Sequence, residues 1–204
     1  MVILAGQELT SILVVAGYDV IFIFLFSHTT AIYLMLSKDM ESFSELTGKF
    51  NESAEMRSLI DKRLRNYIKR HSLVLLTVKK LQKLFSVAIG VVLVLNTISV
   101  CSFFVLPLEV AFSFAPLVSY TLTIFFLYCL QGQRLINASE GFETAVYCCG
   151  WEKLGLREQK VILLMLKQAQ KPMMLHAAEM VPICMATFAS TMQAIYRFIT
   201  VFSV

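Results

Sequence analysis

Residues 84–133 read LFSVAIGVVLVLNTISVCSFFVLPLEVAFSFAPLVSYTLTIFFLYCLQGQ, and Glu109 is their only acidic or basic side chain. A hydrocarbon core about 30 Å thick is crossed by about 20 helical residues, so this run is too long for one crossing and suits two. It must fold back on itself. The reversal belongs at Pro107-Leu108-Glu109, where a proline without an N–H and a carboxylate both favour the water interface. Spans of about 84–106 and 110–131 follow. Working outward, 11–36 carries only Asp19 and His28 as charged or histidine side chains, and 180–204 carries only Arg197 near its far end. These make a first and a last span. The mean hydropathy of +0.71, with 57% hydrophobic and 16% charged residues, excludes an ordinary soluble domain. The fold class read here is all-α, a polytopic membrane protein.

Charge gives the orientation. Of 18 Lys and Arg residues, 11 lie between Lys38 and Lys83 and 6 between Arg134 and Lys171. Two spans separate these basic segments, which puts both on one side, and Lys/Arg enrichment marks that side as cytoplasmic. The expected cytoplasmic segments are 37–83 and 132–172, with both chain ends facing outward. The net charge of +4 then reports orientation and attraction to anionic lipid, not a nucleic-acid partner. No cleaved signal peptide is expected at Met1. The five cysteines lack metal-ligand spacing and suggest no disulfide framework, although the adjacent Cys148 and Cys149 are candidates for palmitoylation. The sequence has no glycine-rich phosphate loop, metal-spaced cluster or nucleophile elbow, so no enzyme activity or cofactor is expected.

Residues 38–55 are polar, and Gly48 and Asn51 suggest a loop. From Met56 a helical repeat begins, with Met56, Ile60, Leu64, Tyr67, His71, Leu75, Val78, Leu81 and Phe85 apolar or aromatic and most of the basic residues between them. It predicts an amphipathic helix running into the second span, either lying on the inner leaflet or packing against partner subunits. Another helical stretch places Leu156, Val161, Leu164, Met165 and Gln168 near one face and is interrupted at Lys171-Pro172. Pro182 falls inside the last expected span. Asp19, in the first, is either a hydrogen-bonded anchor or part of a proton relay. Thr187, Ser190, Thr191 and Gln193 are either helix-helix glue or water-lining groups.

The segment YCLQGQRLINASEGFETAVYCCGW (128–151), followed by LLMLKQAQKPMMLHAAEMVPICMATFASTMQAIYRF (163–198), resembles the C-terminal half of an insect odorant receptor. Tyr128, Cys129, Gly132, Gln133, Ser139 and Glu140 match a pattern after that family's sixth helix, with Tyr147 and Trp151 beyond it. Ala169-Gln170-Lys171-Pro172 is another family run, and Pro182, Thr187, Phe188 and Tyr196 match the last helix. His71 and Leu84-Phe85-Ser86 resemble the start of the fifth helix, and Asp19 and His28 the fourth. One departure is Tyr196-Arg197, where many members have Tyr-Ser.

The resemblance implies the C-terminal four helices of a seven-helix fold with a cytoplasmic helical anchor and an extracellular C-terminus. It implies a plasma-membrane odorant receptor subunit, binding a volatile odorant in a heterotetrameric cation channel with the shared coreceptor. It further implies a fragment or truncated product lacking helices one to three. The chain resembles a tuning receptor more than the coreceptor. Alternatives are a gustatory receptor and a small four-span transporter or structural membrane protein. The ligand-contact candidates lie in the outer halves of the first and third spans: Tyr18 and Phe22, and Phe112, Pro116 and Tyr120, each set spaced by four. The resemblance makes the last helix pore-lining, with Thr187, Thr191 and Gln193 facing water, Phe188 and Tyr196 packing behind or narrowing the path, and Arg197 near the outer end.

The orientation is open to a direct test. Sequons engineered beside Glu109 should acquire glycan while the natural Asn51-Glu52-Ser53 and Asn137-Ala138-Ser139 do not, read as gel shifts after expression with microsomes. Glycan on either natural site would reverse the assignment.

Overall fold

The computed structural model describes residues 2–48, 54–105 and 107–202. The Asn51 sequon, the end of the second expected span at 106 and the last two residues lie outside the described residues. Helix α1 covers Val2–Gly48, α2 Ala54–Val105, α3 Leu108–Tyr147, α4 Leu156–Ala169 and α5 Met185–Phe202. A short 3-10 turn lies at Trp151–Lys153, and strands β1 (His176–Ala177) and β2 (Val181–Pro182) form an antiparallel pair before α5. Among the described residues three helices, α1, α2 and α3, are long and apolar enough to cross a bilayer. Helix α5 has 18 residues, a length of about 27 Å.

The breaks follow the backbone chemistry. Helix α2 stops at Val105, ahead of Pro107, and the Pro107 carbonyl accepts from the N–H groups of Val110 and Ala111 at 3.0 and 2.9 Å to start α3. Pro116 stands inside α3 without ending it. Helix α4 ends at Ala169, before Lys171-Pro172, as the proline requires.

Three expectations need correction. Residues 38–48 are helix, because Tyr33, Leu36, Met40, Phe43 and Thr47 continue a buried stripe at spacings of three and four while the polar residues occupy the outside. The last helix starts at Met185, not near 180, and Pro182 lies in β2 outside it. On α4 the buried face is Ile162, Met165, Leu166 and Ala169, whereas Leu156 and Leu164 are exposed.

The chain divides into two compact units. One comprises 1–27, 83–133 and 175–204. It is apolar outside as well as inside: Val14, Val20 and Phe24 of α1, Val87, Val91 and Leu95 of α2, and Phe112 and Leu117 of α3 are all exposed. Such a surface suits lipid or protein neighbours rather than water. Inside it, Val100 of α2, Val118 of α3 and Ile195 of α5 form one buried cluster.

The other unit comprises 28–82 and 134–174 and is built like a soluble domain. Ile60, Leu64, Tyr67, His71, Val74, Val78 and Leu81 of α2 are buried, while Lys62, Arg63, Arg65, Lys69 and Arg70 are exposed. Val74 takes the central place expected for Leu75. The apolar stripe of α2 is thus covered by its own unit, with Phe43 of α1 5.7 Å from Tyr67 and Phe142 of α3 4.7 Å from His71. The buried stripe itself is therefore not a surface left open to a leaflet or a partner; the exposed face of α2 is its basic one. The Thr47 hydroxyl donates to the Cys149 carbonyl at 2.8 Å, tying the end of α1 to the segment after α3.

His71 is 4% exposed against the rings of Phe142 and Tyr33, and burial pushes its imidazole down from 6.5 to about 4. The folded unit therefore prefers neutral His71, and its contribution is complete above about pH 6.5 and lost as the pH falls toward 4. In detergent, the melting temperature of the wild-type chain should fall more steeply between pH 6.5 and 4.5 than that of His71→Phe. Parallel curves would refute this role.

Candidate ligand site

In the first unit a carboxylate lies among aromatic rings. Asp19 of α1 is buried, and its Oδ2 accepts from the Tyr120 hydroxyl at 2.8 Å while Oδ1 accepts from the Tyr128 hydroxyl. A carboxylate in an apolar interior carries a large desolvation cost, and two phenol donors offset part of it. Tyr120 and Tyr128 are eight apart on α3, a rise of about 12 Å, so their side chains reach Asp19 from two levels. This is the hydrogen-bonded anchor that one reading of Asp19 anticipated.

The aromatic wall adds α2 to these two helices. Phe22 of α1 stands 4.2 Å from Tyr128, 4.4 Å from Phe26 and 5.3 Å from Phe85 of α2. Tyr18 is 5.4 Å from Phe85, and its buried hydroxyl has no hydrogen-bond partner among the described residues. The site therefore combines ring faces, an occupied carboxylate and an uncommitted phenol. Those group types are the ones that recognise a small, largely apolar molecule with one polar group.

Tyr18, Phe22 and Tyr120 are brought together here, but Phe112 and Pro116 are exposed and not part of the cluster. A spacing of four overshoots a helical turn by about 40°, so the face rotates steadily along α3. The exposures follow that rotation: 76% at Phe112, 42% at Tyr120 and 1% at Tyr128. Tyr128 and Phe85 complete the cluster, and neither is among the ligand-contact candidates read from the sequence. The Tyr120/Tyr128 pairing on one side of α3 was a usable signal for the first, whereas Phe85 required knowledge of how α2 packs.

The residues of α5 separate by face. Phe188 packs 5.3 Å from Phe125 and 5.5 Å from Phe126 of α3. Thr187 and Thr191 are half-buried, with hydroxyls donating to the carbonyls of Pro182 and Thr187. Gln193, Tyr196 and Arg197 are exposed. In the second unit, a cleft of about 230 Å³ is lined by residues including Asp61, Arg65, Arg157 and Glu158. Its mixed charge and the Arg65–Asp61 ion pair at 2.7 Å fit a solvated groove better than a site for a volatile molecule.

A sequence model of the 7tm Odorant receptor family matches residues 3–196. Among curated relatives, putative odorant receptor 85d of Drosophila melanogaster is 36% identical over 73 residues, covering 36% of this chain and 18% of that protein. Odorant receptor 49a of the same fly is 27% identical over 143 residues, covering 68% of this chain and 36% of its own length. The olfactory receptor OR5 of Machilis hrabei, solved in complex with eugenol, superposes with a TM-score of 0.75 at 17% identity, over 90% of this chain and 46% of that one. The chain thus spans less than half the length of the relatives it matches, and the structural likeness speaks for the fold. The family match decides against the gustatory-receptor and small-transporter readings. By a family match over nearly its whole length, with three long apolar helices and the fold of a solved insect olfactory receptor beside it, this chain belongs to the insect odorant receptor family of multi-pass membrane proteins.

Proposed function

We propose that this chain is part of an odorant-binding subunit of an odorant-gated cation channel, assembled with the family's coreceptor in the plasma membrane. The observation that carries the reading is the aromatic cluster around Asp19, where Tyr18, Phe22 and Tyr120 meet Tyr128 and Phe85. A volatile molecule gains affinity mainly by leaving water for ring faces, and one hydrogen bond to a phenol selects among molecules of similar size. Phe112 and Pro116, exposed on α3, are left out of this site.

In this reading α5 lines the conduction path. Thr187 gives its hydroxyl hydrogen to the Pro182 carbonyl in β2 and Thr191 gives its own to the Thr187 carbonyl within α5, so their oxygens remain acceptors that can replace part of a cation's hydration. Gln193 and Arg197 share the exposed face one turn apart, Tyr196 lies beside them and Phe188 packs behind. The basic segments 37–83 and 132–172 face the cytoplasm, the C-terminus faces outward, and the exposed Leu156 and Leu164 of α4 belong to the intersubunit anchor.

Two experiments test this, both with the full-length receptor expressed beside its coreceptor. Tyr120→Ala should shift half-maximal odorant concentrations by about tenfold, the scale of a lost buried hydrogen bond with its ring contact, and Tyr120→Phe by less. An unaltered response profile across an odorant panel would remove the site assignment. Arg197→Ser should raise conductance or change calcium permeability by removing a fixed positive charge. Unchanged conductance and selectivity in surface-expressed Thr187, Thr191, Gln193 and Arg197 variants would place these side chains outside the pore.

A further inference from the structure

The connection leading into α5 is held in a backbone conformation that it would not choose alone. His176 pairs with Pro182 and Ala177 with Val181, and the Met180 N–H closes the turn on the Ala177 carbonyl at 3.0 Å. Ala178 and Glu179, at its centre, have φ of 49° and 61°. Both are left-handed, a region that side chains other than glycine's disfavour. Such a turn persists only where its surroundings hold it.

What holds it is α2. Ser86 is buried and makes three hydrogen bonds to the turn: its carbonyl accepts from Ala178 N at 2.8 Å, its hydroxyl donates to the His176 carbonyl at 3.0 Å, and its Oγ accepts from Glu179 N at 3.0 Å. One helical turn on, a Cβ at Gly90 would stand 2.9 Å from the Ala178 Cβ. From the other side α3 closes on the same segment. A Cβ at Gly132 would fall 2.0 Å from the Ile183 carbonyl oxygen, and the Gln133 side chain accepts from Met185 N at 3.4 Å. Two residues after Ile183, α5 begins.

Both grips adjoin the aromatic cluster. Phe85, which packs on Tyr18, Phe22 and Phe26, immediately precedes Ser86. Tyr128, bonded to Asp19, lies one helical turn before Gly132 on the same side of α3. We propose that Ser86, Gly90 and Gly132 form a clasp that couples the Asp19 cluster to the start of α5, making them positioning residues for gating. The inference rests on the reading of α5 as the pore helix. Displacing Phe85 or Tyr128 moves a grip point, and the glycine contacts leave no slack to absorb the motion. Release of Ser86 lets Ala178 and Glu179 relax from the left-handed region, which supplies the second state that gating needs.

The test uses the full-length receptor with its coreceptor, matched for surface expression. S86A removes both side-chain bonds and weakens the clasp, whereas E179G removes the left-handed penalty and strengthens it. The two should shift the half-maximal odorant concentration and the ligand-free current in opposite directions, each by about two- to tenfold. E179Q, which keeps the backbone cost, should match wild type, and the rank order of odorants should be preserved in all three. Glu179 is exposed, so E179G reaches the surface even if S86A does not, and a wild-type response from E179G alone overturns the coupling. Shifts in the same direction, or a reordered odorant profile, overturn it too. A wild-type receptor without odorant-gated current overturns the channel reading and the coupling with it, whereas normal wild-type current with unmoved variants overturns the coupling alone.

Discussion

A peptide group in hydrocarbon has no water to bond, and an ionised side chain there has no solvent to share its charge. Helices satisfy the first demand internally, so the apolar stretches of this chain become helices of 47, 52 and 40 residues. The second demand falls on Asp19, which no backbone ladder can satisfy. Its carboxylate fixes α1 against α3 through Tyr120 and Tyr128, and around that contact the rings of Phe22, Phe26 and Phe85 gather. The candidate ligand site follows from where a costly carboxylate had to find donors.

The same three helices contribute to two units of different character. In one, large apolar side chains such as Val14, Phe24, Val87 and Phe112 lie outside, and the interior combines packed rings and aliphatic side chains with the hydrogen bonds of Asp19. In the other, the ordinary arrangement returns, with Ile60, Leu64, Tyr67 and Phe142 inside and lysines and arginines outside. His71 belongs to that second core and stays neutral because it is desolvated among rings. Its place in the periodic stripe of α2 announced burial, while its neighbours came from α1 and α3.

Helix α5 shows how close approach overrides local pattern. Residues 180–184 are apolar enough to continue a span, yet Val181 and Pro182 pair with Ala177 and His176, and helix begins only at Met185. Pro182 could have stood inside a membrane helix, as Pro116 does in α3. The difference lies in Gly132, which brings α3 against the Ile183 carbonyl, and in Ser86, which takes up the polar groups of the turn.

The sequence by itself determined the number of apolar stretches, the reversal at Pro107, the uneven placement of lysine and arginine, and the periodic face of α2, because each depends on composition or on spacing along one helix. It also carried the family, through Tyr128, Gly132, Ser139 and Lys171-Pro172. What it left open was which faces meet. A spacing of four put Phe112, Pro116 and Tyr120 together on paper, but the face turns by about 40° at each step. Only packing shows that Tyr128 is buried and that the half-exposed Tyr120 reaches Asp19 with its hydroxyl while Phe112 looks out. The partners of Asp19 and Ser86 lie 90 or more residues away in the chain, and hydrogen bonds over such separations are set by how helices stack, which only the tertiary structure decided.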